Sequence, residues 1–172
     1  MDMIETMQCL SPKNQDVLEY WLEKAGERPM ASRADLDPVI DLPKLTMHMF
    51  LVDVERGATR FRFRLVGTGV VDHVGRDMTG KYLDELFDHE KHYIEVKEDY
   101  LEVVRHKAPR LGVVRFFSDL RGMTANYERL LLPLSDDGQR VNLLFGSCSP
   151  LSAKLLNDKG FCADERRRRQ VA

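Results

Sequence analysis

Several features that mark common protein classes are missing from this sequence. No apolar run approaches the roughly 20 residues that a membrane-spanning helix needs. The first residues carry neither a cationic segment nor an apolar signal core, so we expect no export. Three cysteines, Cys9, Cys148 and Cys162, are odd in number and far apart, which is untypical of a disulfide framework. We therefore expect a cytoplasmic protein without membrane insertion.

A strong charge of one sign is missing as well. The chain has 172 residues, with 26 Lys and Arg against 28 Asp and Glu, so its formal charge is -2. Four arginines, Arg166–Arg169, lie close to its end. Such a run can contact nucleic acid or an anionic membrane, but a solvated end is the commoner case. We therefore expect no nucleic-acid partner. The length of the chain fits one domain with short appendages.

A helix is predicted from Ser11 to Ala25. Ser11 can cap it, and Pro12 lies where the first turn tolerates a missing N–H. Its apolar residues fall on one stripe, which must be covered by the same domain or by another subunit. Packing within the domain is the simpler alternative. The other is a homodimer, for which the candidate interface is Val17, Trp21 and Leu22; removing residues 1–26 would then leave a folded monomer.

Residues 27–45 are rich in proline and predict an extended linker draped over the domain. Residues 47–54 and 60–65 then predict a hairpin near a sheet edge, with Phe61, Phe63 and Leu65 on one face. The opposite face carries three arginines. They form a candidate patch for an anionic ligand or acidic partner, or else a solvated row paired with acids: Arg60, Arg62 and Arg64.

The remainder of the chain predicts one long helix followed by three strands. Glycines between residues 67 and 75 are typical of turns, and the helix covers residues 88–107. The three strands are predicted at Arg110–Ser118, Ala125–Leu134 and Val141–Ser147, with a helical turn at Ser149–Leu156 after them. This order of elements predicts an α+β domain built on an antiparallel sheet.

The element order and several strings resemble a PAS-like bacterial family (PAS_5, formerly a domain of unknown function). The strings are FRLVGTG at residues 63–69, GRDMTG at 75–80 and YERLLLPLSDDG at 127–138. The resemblance covers residues 30–150, and places a helix and linker at 1–29 and a helical turn with a basic tail at 151–172. It implies a five-stranded antiparallel sheet with helices over one face. It also implies sensing of a small molecule or contact with a protein, with output in trans because no effector domain is recognisable.

A ligand site is predicted between the sheet and the long helix. Its candidate lining is aromatic: Phe61, Phe63, Tyr82, Tyr93, Tyr100 and Phe145. Aromatic faces and tyrosine hydroxyls can orient a small ligand in an apolar pocket. The alternative is a filled core in which these residues only pack.

Neither a metal, a cofactor nor a catalytic site is predicted. His89 and His92 are close in sequence, but no further ligands complete a set with them. Flavin photosensors of the PAS group carry an Asn-Cys-Arg-Phe-type string before the long helix, whereas this sequence has no cysteine between Cys9 and Cys148. Glu128 is expected to face solvent or to pair with an arginine across the sheet.

These observations favour a non-enzymatic, single-domain sensory or adaptor protein in bacterial signalling. It would bind a small ligand, a protein partner or both. One alternative is an interaction scaffold that binds no ligand. Another is an enzyme of unrecognised type, which would need clustered polar groups in the interior, and the sequence indicates few of them.

Overall fold

The computed structural model describes residues 11–86, 90–118 and 122–152, without the side chains of residues 90–95, 115–118 and 123–125. Its four α-helices and five strands occur in this order: α1 (Pro12–Ala25), α2 (Pro38–Asp41), β1 (Met49–Val54), β2 (Phe61–Val66), α3 (Thr68–Val74), α4 (Glu90–His106), β3 (Arg110–Ser118), β4 (Met123–Leu134) and β5 (Leu143–Pro150). In the part of the chain so described, no helix has both the length and the apolar character needed to cross a membrane.

All five strands form one sheet in the order β2-β1-β5-β4-β3, and every neighbouring pair is antiparallel. The predicted fold class is therefore confirmed. The last strand differs from its prediction: β5 continues through Ser149 to Pro150, which pair with Glu128 and Tyr127 on β4. The helical turn predicted to begin at Ser149 is wrong at residues 149–152, none of which is helical. The rest of that prediction, from residue 153, lies outside the described residues.

The two faces of the sheet are covered by different parts of the chain. Asp99 of α4 pairs with Arg110 on β3 and Arg129 on β4, and we call this side of the sheet the α4 face. The opposite side, the α1 face, carries Leu132 and Phe145, which are cross-strand partners. Helix α1 lies over it and contacts β4 and β5.

Helix α1 packs on the core of its own subunit. Ser11 caps it by accepting a hydrogen bond from the Asn14 N–H, as predicted. Val17 is fully buried and Trp21 is 3% exposed. The Trp21 indole N–H also donates to the Pro133 carbonyl oxygen at 3.0 Å. The suggestion that Val17 and Trp21 form a dimer interface is therefore corrected, because the subunit itself already covers them; Leu22 is half-buried.

The hairpin of β1 and β2 contains an irregularity that the sequence pattern hides. Val52 pairs with Phe63 whereas Leu51 pairs with Leu65, so one extra residue, Arg64, is accommodated in β2. This β-bulge moves Leu65 to the face opposite Phe63 and leaves it 50% exposed. The prediction that Phe61, Phe63 and Leu65 share one face is thus wrong for Leu65. The prediction that this hairpin lies at a sheet edge is confirmed.

The glycine-rich stretch after β2 contains a helix that the sequence did not predict, α3. Gly67 precedes it, and a Cβ atom there would lie 2.4 Å from the Met47 carbonyl oxygen. The glycine is therefore required by close backbone approach. Upstream, residues 33–42 form two short helical turns rather than an extended linker, and we call this segment the strap.

Candidate functional site

A buried ion-pair cluster connects α4 to the α4 face of the sheet. The Asp99 carboxylate accepts from the Arg129 guanidinium at 2.6 Å and from Arg110 Nε at 3.0 Å. Glu102, one helical turn later, lies 3.7 Å from the Arg110 guanidinium. Arg129 and Arg110 are only 3% and 6% exposed. Buried charges are tolerated in proteins when they are paired, and here two arginines face two carboxylates.

Two tyrosines and a thiol surround the Arg129 guanidinium. Tyr100 of α4 presents its ring 5.1 Å from the guanidinium carbon, and it also makes an edge contact with the Phe61 ring. Burial raises the pKa of Tyr100 and of the Cys148 thiol to about 12 each, and the charge on Arg129 opposes both rises. Burial also raises the pKa of Tyr127. All three groups are therefore neutral hydrogen-bond donors at neutral pH.

The strand alternation explains how this cluster is assembled. Tyr127, Arg129 and Leu131 alternate along β4 and face α4, while Cys148 is the cross-strand partner of Arg129 on β5. Arg129 is 3% exposed and does not extend the exposed row of Arg60, Arg62 and Arg64. The sequence carries a signal for this burial: Arg129 precedes three consecutive leucines, Leu130–Leu132, and such an apolar run indicates a strand covered on both faces.

The predicted ligand pocket does not form as one site. Phe61, Phe63 and Tyr100 are all buried on the α4 face. Phe145 is buried on the α1 face, because it pairs with Leu51 and Leu132 while Phe63 pairs with Val52. The sheet therefore separates Phe145 from the other aromatic residues, and a site shared by all of them is excluded by this geometry.

The two remaining pocket candidates are placed differently. Tyr82 lies beside the hairpin, where its ring stacks 3.5 Å from the Arg60 guanidinium carbon. A hydrogen bond with Glu55 raises the pKa of Tyr82. Tyr82 is thus a peripheral residue and does not line the interior. The side chain of Tyr93 lies outside the described residues.

Acidic residues pair with two members of the arginine row. Arg60 forms a bidentate ion pair with Asp84, at 3.0 and 2.8 Å, and Arg64 lies 2.6 Å from Asp53. Arg62 is exposed, and its Nε donates to the Gly80 carbonyl oxygen. These contacts favour the interpretation of Arg60, Arg62 and Arg64 as a solvated row paired with acids over that of an open anion site.

A buried carboxylate holds the start of α1 on the opposite face. Glu128 is 4% exposed and accepts from the Ser11 N–H at 2.6 Å and from the Asn14 amide at 3.2 Å. The expectation that Glu128 faces solvent or pairs with an arginine is therefore wrong. Its structural role is clear, since a carboxylate satisfies free N–H groups at a helix N-terminus.

Residues 9–149 match the profile of the PAS_5 family, described as a PAS domain. The chain belongs to the PAS domain family. This match begins before α1 and ends within β5, so the helix on the α1 face lies inside the region of family similarity. No curated protein sequence matches this PAS protein.

The chain is similar to several solved structures at low sequence identity. A light-oxygen-voltage domain studied with a flavin analogue is 13% identical, with a TM-score of 0.51, and the match covers 74% of this chain and 98% of that one. The light-oxygen-voltage protein of Rhodobacter sphaeroides is 14% identical with a TM-score of 0.48, covering 61% of this chain and 60% of that one. The PAS domain of Bordetella pertussis BvgS is 19% identical with a TM-score of 0.46, covering 66% of this chain and 84% of that one.

The residues of this PAS protein do not fit the flavin chemistry of a photosensor. The Asn-Cys-Arg-Phe-type string is missing from its sequence before α4. Cys148 instead lies on a strand beside Arg129, with a thiol pKa of about 12. A thiol that holds its proton so strongly is a poor nucleophile. Among the described side chains, no group of three or more His, Cys, Asp or Glu residues is placed to hold a metal ion.

Proposed function

We propose that this PAS protein is a sensory or adaptor module of bacterial signalling that binds a small ligand on its α4 face and acts in trans on a protein partner. The proposal includes a cytoplasmic location, as the sequence analysis expected, and a homodimer, which the sequence analysis gave as one of two alternatives. Membership of the PAS family supports the sensory class. The observation that carries the proposal is the buried cluster of Arg129, Asp99, Tyr100, Tyr127 and Cys148.

This cluster has the chemistry of a recognition site. Binding pockets in proteins combine apolar walls with a few precisely oriented polar groups. On this face the apolar surroundings include Phe61 and Phe63, and the polar groups are two tyrosine hydroxyls and the Arg129 guanidinium, which donates to both hydroxyls as well as to Asp99. A ligand that carries hydrogen-bond acceptors matches this set of donors.

The same cluster offers a route from ligand to output. Asp99 joins α4 to both β3 and β4, so a ligand that competes for Arg129 weakens the contact between helix and sheet. In this mechanism α4 has two positions on the sheet, one with the Asp99–Arg129 contact and one without it. A ligand that binds the protein more tightly in one of these positions shifts the population toward that position. The partner would read the position of α4 on the sheet.

Two alternatives lead to different expectations. A ligand-free interaction scaffold would use the cluster only to fix α4 on the sheet. An enzyme of unrecognised type gains some support from the clustered polar groups, which are more numerous than the sequence indicated. Against it, the groups beside Arg129 are held in their neutral forms, and the Cys148 thiol is not activated.

Native mass spectrometry of the purified full chain, followed by denaturing mass measurement of the same sample, tests the proposal. We expect additional mass in the native spectrum that disappears on denaturation. The native spectrum also reports whether the particle is a dimer. A clean subunit mass, together with the absence of thermal stabilisation by a metabolite library, would favour the scaffold.

A matched pair of tyrosine variants locates the site. Tyr100 on α4 and Tyr20 on α1 are both buried, but they lie on opposite faces of the sheet. We expect Y100F to retain at least tenfold less of the co-purified mass than the wild type, and Y20F to retain it fully. Equal retention in both variants would overturn the assignment to the α4 face.

A further inference from the structure

We propose that a second site, a cavity on the α1 face, binds a small uncharged apolar compound about the size of one aromatic ring. The cavity lies between the strap and the sheet and has a volume of about 110 Å³. It is separate from the α4 face, because the sheet lies between them. Its apolar lining comes from the strap and three strands: Leu36, Val39, Met49, Leu51, Leu65 and Phe145.

The volume limits the size of the ligand. An apolar cavity of about 150 Å³ in another protein binds benzene or xenon. The cavity here is somewhat smaller but opens to solvent, so that a ring can enter and leave part of its edge at the mouth. Two apolar side chains stand there, Val39 at 70% and Leu65 at 50% exposed. Covering them with a ligand removes further apolar surface from water.

The charges at the cavity favour a neutral ligand. Arg33 and Asp37 both belong to its lining, and their opposite charges offset each other. Each also has a local hydrogen bond: an Arg33 guanidinium N–H donates to the Leu36 carbonyl oxygen, and Asp37 Oδ1 accepts from the Ile40 N–H. An anion entering the cavity would meet Asp37, and a cation would meet Arg33.

Polar contacts on the outer side of the strap keep the cavity from collapsing. The Asp37 N–H donates to the Tyr20 hydroxyl at 2.8 Å, and the Lys24 ammonium lies 3.0 Å from the Asp41 carboxylate. The bulge at Arg64 turns Leu65 toward the same side. The strap is therefore held to α1 rather than pressed onto β1 and β5, and the cavity is already formed before a ligand binds.

Methyl NMR of the full-length protein during a titration with toluene tests this site. We expect saturable shifts of the methyl groups of Leu36, Leu51 and Leu65, and no saturable shift of Leu131 on the α4 face. Linear, unsaturated shifts up to the solubility limit of toluene would overturn the proposal. So would saturable shifts centred on Leu131.

Two neighbouring strap residues provide matched variants. Val39 lines the cavity whereas Ile40 does not, and both are exposed, at 70% and 73%, so that neither substitution disturbs the core. We expect V39W to cover the mouth and weaken toluene binding at least tenfold, and I40W to leave it unchanged. Equal effects of the two variants would overturn the site.

The control for self-association uses no added ligand. Methyl shifts of Leu51 and Leu65 that depend on protein concentration would show that a second copy fills the cavity, and would overturn the small-molecule proposal. Y100F is expected to bind toluene normally. The α4-face proposal and this one can therefore fail independently.

Discussion

The two faces of the sheet solve the problem of burial in opposite ways. The α4 face buries charge: Asp99 holds Arg110 and Arg129 under the helix, next to two tyrosines. The α1 face buries mainly hydrocarbon, with Leu130 and Leu132 of β4 beneath α1 and Trp21 on the helix itself, and keeps one carboxylate, Glu128, at the helix end. A ligand that supplies its own polar groups can replace a buried polar contact at small net cost, whereas separating a hydrocarbon interface exposes apolar surface. This contrast supports the proposal that the α4 face responds to a ligand while the α1 face keeps the subunit folded.

The largest expected effect is the loss of folding when α1 is removed. Deleting residues 1–26 takes away several fully buried side chains and exposes the leucines of β4 to water. Each such side chain contributes about 1.5–3 kcal/mol, so that together they rival the whole stability of a domain, about 5–15 kcal/mol. We expect the truncated protein to lose its cooperative thermal transition in circular dichroism.

A deletion of residues 1–9 is the control for this truncation, since it leaves Ser11 and α1 in place. We expect it to unfold cooperatively. A folded monomer after removal of residues 1–26 would instead show that α1 is an accessory element, and the contrast between the two faces would fail.

An intermediate effect is expected from breaking the cluster at Arg129. The variant R129M removes the cation from a site only 3% exposed and takes one of its ion-pair partners from the buried Asp99 carboxylate, which keeps its contact with Arg110. Removing one partner of a buried pair costs about 3–5 kcal/mol. Urea unfolding followed by far-UV circular dichroism measures the free energy of unfolding.

The matched control is R62M, because Arg62 is an exposed arginine on the edge strand β2. A surface substitution of this kind changes stability by less than about 0.5 kcal/mol. If both variants lost the same stability, the charges on the α4 face would have no special role in folding.

The smallest expected effect is a decline of stability at alkaline pH that originates partly from the α4 face. Burial raises the pKa of Tyr100 and Cys148 to about 12 in the folded protein, so these groups keep their protons when the unfolded chain has already released them. The stability they contribute is fully present below about pH 9 and is lost as the pH rises toward 12. Urea unfolding at pH 8, 10 and 11 should show this decline, and Y100F should make it shallower. Identical pH profiles for the wild type and Y100F would contradict this explanation.

Local sequence patterns predicted most of the fold. Capping at Ser11 and the apolar stripe placed α1 within one residue, and β3 has the bounds that its alternation predicted. The sequence pattern does not predict helix α3 because this helix has only seven residues, contains Gly69 and follows Gly67. Glycines at this spacing are typical of turns, and about two turns of helix give too short a pattern to outweigh them. The prolines of the strap predict an extended linker, but proline is also favoured in the first turn of a helix, and Pro38 begins the short helix α2.

The candidate site was less predictable because it depends on which face each strand residue occupies. Alternation alone cannot show a bulge, and the bulge at Arg64 reverses the facing of β2 halfway along it. Phe145 and Tyr100 are assigned to one predicted pocket because both are aromatic. The face of the sheet on which Phe145 lies is decided only by the pairing of β5 with its neighbours β1 and β4. Asp99 has no local signal that distinguishes it on a charged helix, because its partners Arg110 and Arg129 lie 11 and 30 residues further along the chain.

The outer edge of β2 has one more consequence for how copies of the protein can assemble. An unpaired strand edge is a template on which another chain can add a strand. Here the following loop occupies that template: the Phe63 N–H donates to the Lys81 carbonyl oxygen at 2.9 Å, and the Gly80 N–H donates to the Phe63 carbonyl oxygen at 2.7 Å. Charged side chains of Arg60, Arg62 and Arg64 flank this position. A continuous intermolecular sheet through β2 is thereby blocked, so any symmetric assembly on this side must join faces rather than extend the strands of one subunit into the next.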